Sequence, residues 1–298
     1  MKRRLKASLA AIAAVVLLGF PAGHCVYSQS GTKAVVVEEE ATKGMGEGFS
    51  YNEYAAVLSS YVNDRGMVDY KGLKTDRAQL DSFAASLGAL DPASVADWSE
   101  DQKIALWVNA YNAFTLIAII DDYPIQSTFI GRRLYPANSI RQIGGVWDEL
   151  TFRLMGRDMT LDEIEHENLR KDFNEPRIHM ALVCAAMGCP PLRNEPYTGV
   201  YLDPQLTDQT NRFLANPEKF RIDREEKRVY LSAIFKWFGK DFVETYGNTS
   251  IVSGDKTEKA VLNFVSGYLG EADRNFIETQ EYDIEYLRYD WSLNEQEG

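Results

Sequence analysis

Between Ile104 and Ile120 nearly every residue is apolar. A helix that is apolar around its whole circumference has no face to give to solvent, so it must lie inside whatever folds around it. Ser99 stands ahead of the run as an N-cap, with Gln102 at the reciprocal capping-box position and Glu100 and Asp101 suited to the positive end. Asp121-Asp122-Tyr123-Pro124 stops it. Asn109 and Asn112 interrupt the apolar run; three apart, they share a face, and each buried amide needs partners. They either anchor loop backbone against the helix or supply an amide that steadies an oxyanion or orients an imidazole.

Shorter elements surround this helix. Tyr51, Tyr54, Ala55, Leu58, Tyr61 and Val62 predict one helix, and Leu73, Leu80, Phe83, Ala84 and Leu87 a second, closed by Gly88. Trp147 to Met159 reads as a hairpin with Gly156-Arg157-Asp158 near its turn. Thr160-Leu161-Asp162-Glu163 is a capping box opening a helix through about Lys171, on which Glu163 and His166 share a face. Further helices are expected at Leu206 to Leu214, after Ser232, and at about Lys256 to Leu269, with strands at Arg228 to Leu231 and Glu285 to Trp291. Helices outnumber short, dispersed strands. The expected fold is α+β: a helix-rich single domain with a small, mainly antiparallel sheet.

Residues 1–28 read as a secretory signal peptide, with Lys2, Arg3, Arg4 and Lys6 ahead of an apolar stretch from Ala7 to Phe20. Residues 29–48 are an acidic, glycine-rich linker, which leaves 49–298 as the globular domain. The expected location is periplasmic or secreted. Cys25 invites a lipid-anchor reading, but His24 stands where a small residue would be expected. The formal charge is −12, more negative once the signal cations leave. No Lys/Arg stripe offsets it, which argues against nucleic acid and anionic lipid surfaces. No membrane span is expected after signal removal; the partner left open is a small-molecule or peptide ligand.

The reactive residue types gather in Arg177 to Leu192, where an apolar run containing His179 leads into a Gly/Pro loop holding Cys184 and Cys189. With Cys25 gone these two are an even pair, and in an oxidising compartment a natural disulfide. The alternative is a thiol nucleophile activated by histidine. If the run is a strand, alternation turns 179, 181 and 183 to one side and 184 to the other, and five extended residues span about 16 Å. His179 is then a poor partner for Cys184. His166 is the better base, with Glu163 or an Asn amide orienting it. Glu163 and His166 also have the Glu-x-x-His spacing of carboxylate-bridged metal bundles, but no second copy accompanies it, so neither a metal nor a cofactor is expected. Trp107, Tyr111, Trp237 and Trp291 read as core.

Several blocks carry a resemblance. Trp107-Val108-Asn109-Ala110-Tyr111-Asn112, Leu161-Asp162-Glu163-Ile164-Glu165-His166 and His179-Met180-Ala181-Leu182-Val183-Cys184 resemble the signature blocks of the domain of unknown function 547 family. Gly188-Cys189-Pro190-Pro191-Leu192, Leu231 to Phe238 and Tyr289 to Asn294 resemble its bacterial secreted or envelope branch. The resemblance is strong over about 98–214. It implies a fold unit and a short residue list but no reaction; it also favours Cys184 for chemistry and gives Cys189 a local, dispensable role. Catalytic candidates are therefore Cys184, His166, His179 and Glu163, and binding candidates Asn109, Asn112, Cys189 and Arg193. A buried asparagine-bearing helix followed by histidine-carrying strands distantly resembles papain- and transglutaminase-like hydrolases. If the domain is an enzyme, thiol-dependent hydrolysis or acyl transfer fits best. The competing reading is a non-catalytic binding or scaffold module whose loop is locked by a Cys184–Cys189 disulfide.

Overall fold

The computed structural model describes residues 49–127 and 129–297. The expected signal peptide and linker lie outside them. The chain begins with α1 (Asn52–Tyr61), α2 (Tyr70–Thr75) and α3 (Ala78–Ala89). The second of the two expected helices is thus split, with Asp69 capping α2 through the Gly72 amide. The run that opens the sequence argument forms α4 (Glu100–Asp122), and Ser99 and Gln102 exchange both capping-box bonds. By length and hydropathy α4 could cross a bilayer, yet 83% of its most apolar window is buried inside the fold. It is a core helix, packed against α2 and α3 and sharing one continuous apolar cluster with α1 and the cysteine segment.

β1 (Thr151–Leu154) and β2 (Arg157–Thr160) form the expected hairpin. Its two-residue turn is Met155-Gly156, both at positive φ (48° and 73°), the backbone that matches hairpin twist. The turn docks on the end of α3, where the Met155 and Gly156 amides donate to the Leu87 and Gly88 carbonyls at 2.9 Å.

The helix after the hairpin departs from expectation: Glu163–Leu169 is a π-helix, in which the Arg170 amide reaches back five residues to the Glu165 carbonyl. The expected strand through His179 is also replaced. Pro176–Met180 is a 3₁₀ turn, opened by Pro176 in its first position and capped by Glu175. Proline has no N–H to give a strand ladder and suits the start of a helical turn, where none is needed.

Beyond the cysteine loop come α5 (Leu202–Leu214), β3 (Phe220–Asp223), β4 (Arg228–Leu231), α6 (Ala233–Phe238), α7 (Lys256–Ser266), α8 (Glu271–Thr279) and β5 (Asp283–Tyr286). β3 pairs antiparallel with β4, and β5 adds parallel on its other side. These elements enclose a second apolar cluster built on Phe213, Phe235, Phe242 and Phe264. The 3₁₀ turn sits on the seam: Ile178 and Ala181 pack into the first cluster and Met180 into the second. The domain is α+β, with its sheets small and its helices dominant.

Candidate functional site

The cysteine loop is held from three sides. Asn112 clamps the backbone ahead of it, donating to the Ala181 carbonyl at 3.0 Å and accepting the Val183 amide at 2.9 Å. The C-terminal segment runs along the loop itself: the Met187 and Gly188 amides donate to the Ser292 and Asp290 carbonyls, both at 2.7 Å, and Ala186 bridges Leu293. That pairing brings Tyr289 down on the loop. Gly188 is required there, because a Cβ at this position would lie 2.6 Å from the tyrosine ring. On the third side Lys219, itself buried, donates to the Met187 carbonyl.

The expected disulfide is not formed. Both cysteines are free, and their sulfurs lie 2.6 Å apart, beyond the roughly 2.05 Å of an S–S bond. The Tyr289 hydroxyl is 2.9 Å from the Cys189 Sγ and 3.2 Å from that of Cys184. The Cys184 amide donates to the Cys189 sulfur at 3.0 Å. The two thiols are therefore unequal. Burial pushes Cys189 up, but hydrogen bonds from the Cys184 thiol, Tyr289 and the backbone at Ala186 and Cys184 outweigh it and bring it below an ordinary thiol. Cys184 goes the other way: its bond to Cys189, its burial and the Cys189 charge push it well above. The first proton lost by the pair leaves Cys189, the residue to which the sequence resemblance gives the minor role.

The π-helix decides which carboxylate faces the cysteines. Glu163 is spent on the cap, accepting the Thr160 amide at 2.8 Å while its own amide donates to the Thr160 hydroxyl. It neither orients a histidine nor serves as one half of a metal-ligand pair. The wider turn presents Asp162, Glu165 and His166 to a cavity of about 210 Å³ instead. π-bulges recur at functional sites for this reason: they re-aim side chains. Glu165 is 8% exposed. Its burial, only partly opposed by the Arg170 charge, raises its carboxyl to about 7.

The two histidines are fixed by different partners. Arg170 can only donate, so its 2.8 Å contact with His166 Nδ1 makes that nitrogen an acceptor and leaves the proton on Nε2, 3.7 Å from Asp162. The basic nitrogen of His166 is thus already occupied. His179 is buried, lies nearly parallel to the Phe238 ring at 4.3 Å, and gives its Nε2 proton to Asp241 at 2.8 Å. Burial lowers both imidazoles below their ordinary pKa and keeps them neutral near pH 7. Asp241 also accepts two bonds from Arg170, at 2.7 and 3.0 Å. The 3₁₀ turn brings His179 and Cys184 into the lining of one cavity, where strand alternation had separated them. Among the described residues no hydrogen bond joins either imidazole to a cysteine.

Asn109 and Arg193 lie outside this cavity. Asn109 donates to the Tyr197 carbonyl at 2.7 Å and accepts its amide at 2.9 Å, pinning the chain ahead of α5 to the buried helix. Arg193 pairs with Glu195 and Asp208. Three residues that sequence reasoning overlooked complete the site: Glu165, Asp241 and Tyr289. Glu165 could have been found only by anticipating the π-helix. Asp241 and Tyr289 come from the second half of the domain; Asp241 carries no local signal, and Tyr289 is marked only by the closing block that resembles the family. Nor is Trp237 core; it is 48% exposed beside Tyr289 and Trp291, at ring-centre distances of 4.9 and 6.1 Å.

Residues 95–214 match the family described as protein of unknown function, DUF547. The matched segment contains α4, the π-helix and the cysteine loop, and ends with α5, before Trp237, Asp241 and Tyr289. No curated protein and no solved structure matches the chain significantly.

Proposed function

We propose that the cavity is a thiol-dependent acyl-transfer or hydrolysis site of an envelope or secreted domain, with the Cys184–Cys189 pair as its nucleophile. The observation that carries this reading is the Cys189 sulfur: it accepts a backbone amide and faces the Tyr289 hydroxyl and the Cys184 thiol, in a cavity shared with a carboxyl at about 7. Thiolates form where donors converge on the sulfur, and the thiolate is the nucleophilic form. Its attack on a substrate carbonyl carbon forms a C–S bond and a tetrahedral oxyanion. Collapse expels the leaving group, which takes its proton from neutral Glu165. The Glu165 carboxylate then removes a proton from water as that water attacks the thioester, returning the acid product, the thiolate and protonated Glu165. A carboxyl near 7 suits both steps, since each of its forms is well populated at neutral pH. His179, held in one tautomer by Asp241, packs the wall beside it.

The test is alkylation of the full chain by iodoacetamide across a pH series, read by peptide mass spectrometry. Cys189 is expected to react half-maximally below the ordinary thiol pKa of about 8.5. A quantitative Cys184–Cys189 bridge in the protein isolated without reductant would sink the proposal. It would support the second reading, a binding module locked by its loop.

A further inference from the structure

The arginines packed around the seam are used internally: Arg170, Arg177 and Arg193 each pair with at least one carboxylate. Arg141 is different. It lines the same cavity as the cysteines, is exposed, and among the described residues has no ion pair. It is nevertheless well placed. Its backbone belongs to a short 3₁₀ turn, Ile140–Gln142, anchored by fully buried Ile140 and capped by Ser139, which accepts the Arg141 amide. Its guanidinium lies 4.7, 5.3 and 5.2 Å from the ring centres of Tyr135, Trp147 and Trp291, and donates to the Tyr135 hydroxyl at 2.9 Å. That bond uses one of five donors, and the rings restrict where the others can point.

We propose that the cavity binds a small organic carboxylate, its charge held by Arg141 and its apolar body lying against Trp237 and Trp291. An aromatic wall beside an unpaired guanidinium matches a ligand that is apolar at one end and anionic at the other. Trp237 stacks on Trp291 with ring centres 6.1 Å apart and planes 26° from parallel, and its exposure leaves indole surface open beside the cavity. Asp162, also in the cavity lining, repels a negative charge and turns the carboxylate toward Arg141. This assignment rests on the acyl-transfer reading of the same cavity, and it narrows the substrate to an acyl compound carrying a free carboxylate.

The experiment compares binding of 3-phenylpropionate and its uncharged isostere 3-phenylpropionamide to the full domain, by calorimetry and tryptophan fluorescence at neutral pH. The acid is expected to bind about tenfold tighter, the size of one charge-assisted hydrogen bond. Arg141→Met should erase the preference, Arg141→Lys should keep part of it, and Trp237→Ala should weaken both probes alike. Equal binding of the two probes, no saturable binding of either, or a preference that survives Arg141→Met would overturn the proposal. A Cys184→Ala/Cys189→Ala double variant separates the two readings, because it should retain the acid preference in full. If the preference holds while Cys189 alkylates as an ordinary thiol, the carboxylate site stands and the nucleophile falls.

Discussion

Two regions of this domain use buried polar side chains in opposite ways. Along α4, Asn109 and Asn112 each satisfy one backbone carbonyl and one backbone amide of a neighbouring segment. Nothing there is left to react; the amides fix loops. At the seam between the two apolar clusters, Cys184, Cys189, Glu165, His179 and Asp241 bond mainly to one another or to side chains. Burial raises the Glu165 carboxyl and lowers the His179 imidazole, while hydrogen bonds to its sulfur lower Cys189. The contrast is between polar groups that complete the backbone and polar groups that stay responsive to protons.

The largest expected effect belongs to the first region. Asn109→Ala removes both bonds to Tyr197 and leaves a buried carbonyl and amide without partners, at about 1–3 kcal/mol each. Denaturant unfolding should show a loss of about 2–6 kcal/mol. The pH profile of Cys189 alkylation should stay where it was. A shifted profile would mean that the two regions are not independent.

Glu165 gives the next effect, and its sign is specific. Its carboxyl is raised in the folded state from 4.5 to about 7, so the favourable contribution of the neutral form is complete below the unfolded value. It is lost as pH rises from there through about 7. Glu165→Gln cannot ionise and escapes that loss. Relative to the parent it should therefore gain roughly 2–3 kcal/mol between acidic and mildly alkaline pH. Parallel stability curves from pH 4 to pH 8 for the two proteins would refute the raised carboxyl and remove the proton shuttle from the mechanism.

The contrast also explains what could be read in the sequence. The capping boxes at Ser99 and Thr160, the stop at Tyr123-Pro124 and the hairpin are local, and each appeared close to its expected place. The all-apolar run dictated a central helix without any knowledge of its neighbours. The site obeyed no such rule. One additional backbone residue per turn exchanged Glu163 for Glu165, and Pro176 turned an expected strand into a 3₁₀ turn that returned His179 to the cavity. Asp241 reaches His179 and Tyr289 reaches Cys184 from 62 and 105 residues away along the chain. Periodicity carries no record of such distances, and Trp237 looks like core until its surroundings are known.

Tyr289→Phe tests the responsive region at a smaller scale. It keeps the ring over Gly188 and removes only the hydroxyl that faces Cys189 at 2.9 Å. The pKa of Cys189 should rise by about one unit, equivalent to about 1.4 kcal/mol, as read from the alkylation profile. An unchanged profile would place the ionisation with the Cys184 thiol and the backbone amides.

The smallest effect decides whether Glu163 belongs to the fold or to the chemistry. As the reciprocal partner of Thr160 it satisfies one amide at the start of the π-helix, and caps of this kind are worth about 1 kcal/mol. Glu163→Ala should lose about that much in thermal or denaturant unfolding. Glu163→Gln, which can still accept the Thr160 amide, should recover most of it. Neither variant should alter the pH at which Cys189 becomes reactive, because the charge facing the cysteines is that of Glu165. A large shift in Cys189 reactivity from Glu163→Gln, with stability intact, would mean that the glutamate leaves its cap in solution. The helix would then have relaxed toward the α geometry in which Glu163 and His166 share a face, and the boundary between the two regions would have to be redrawn there.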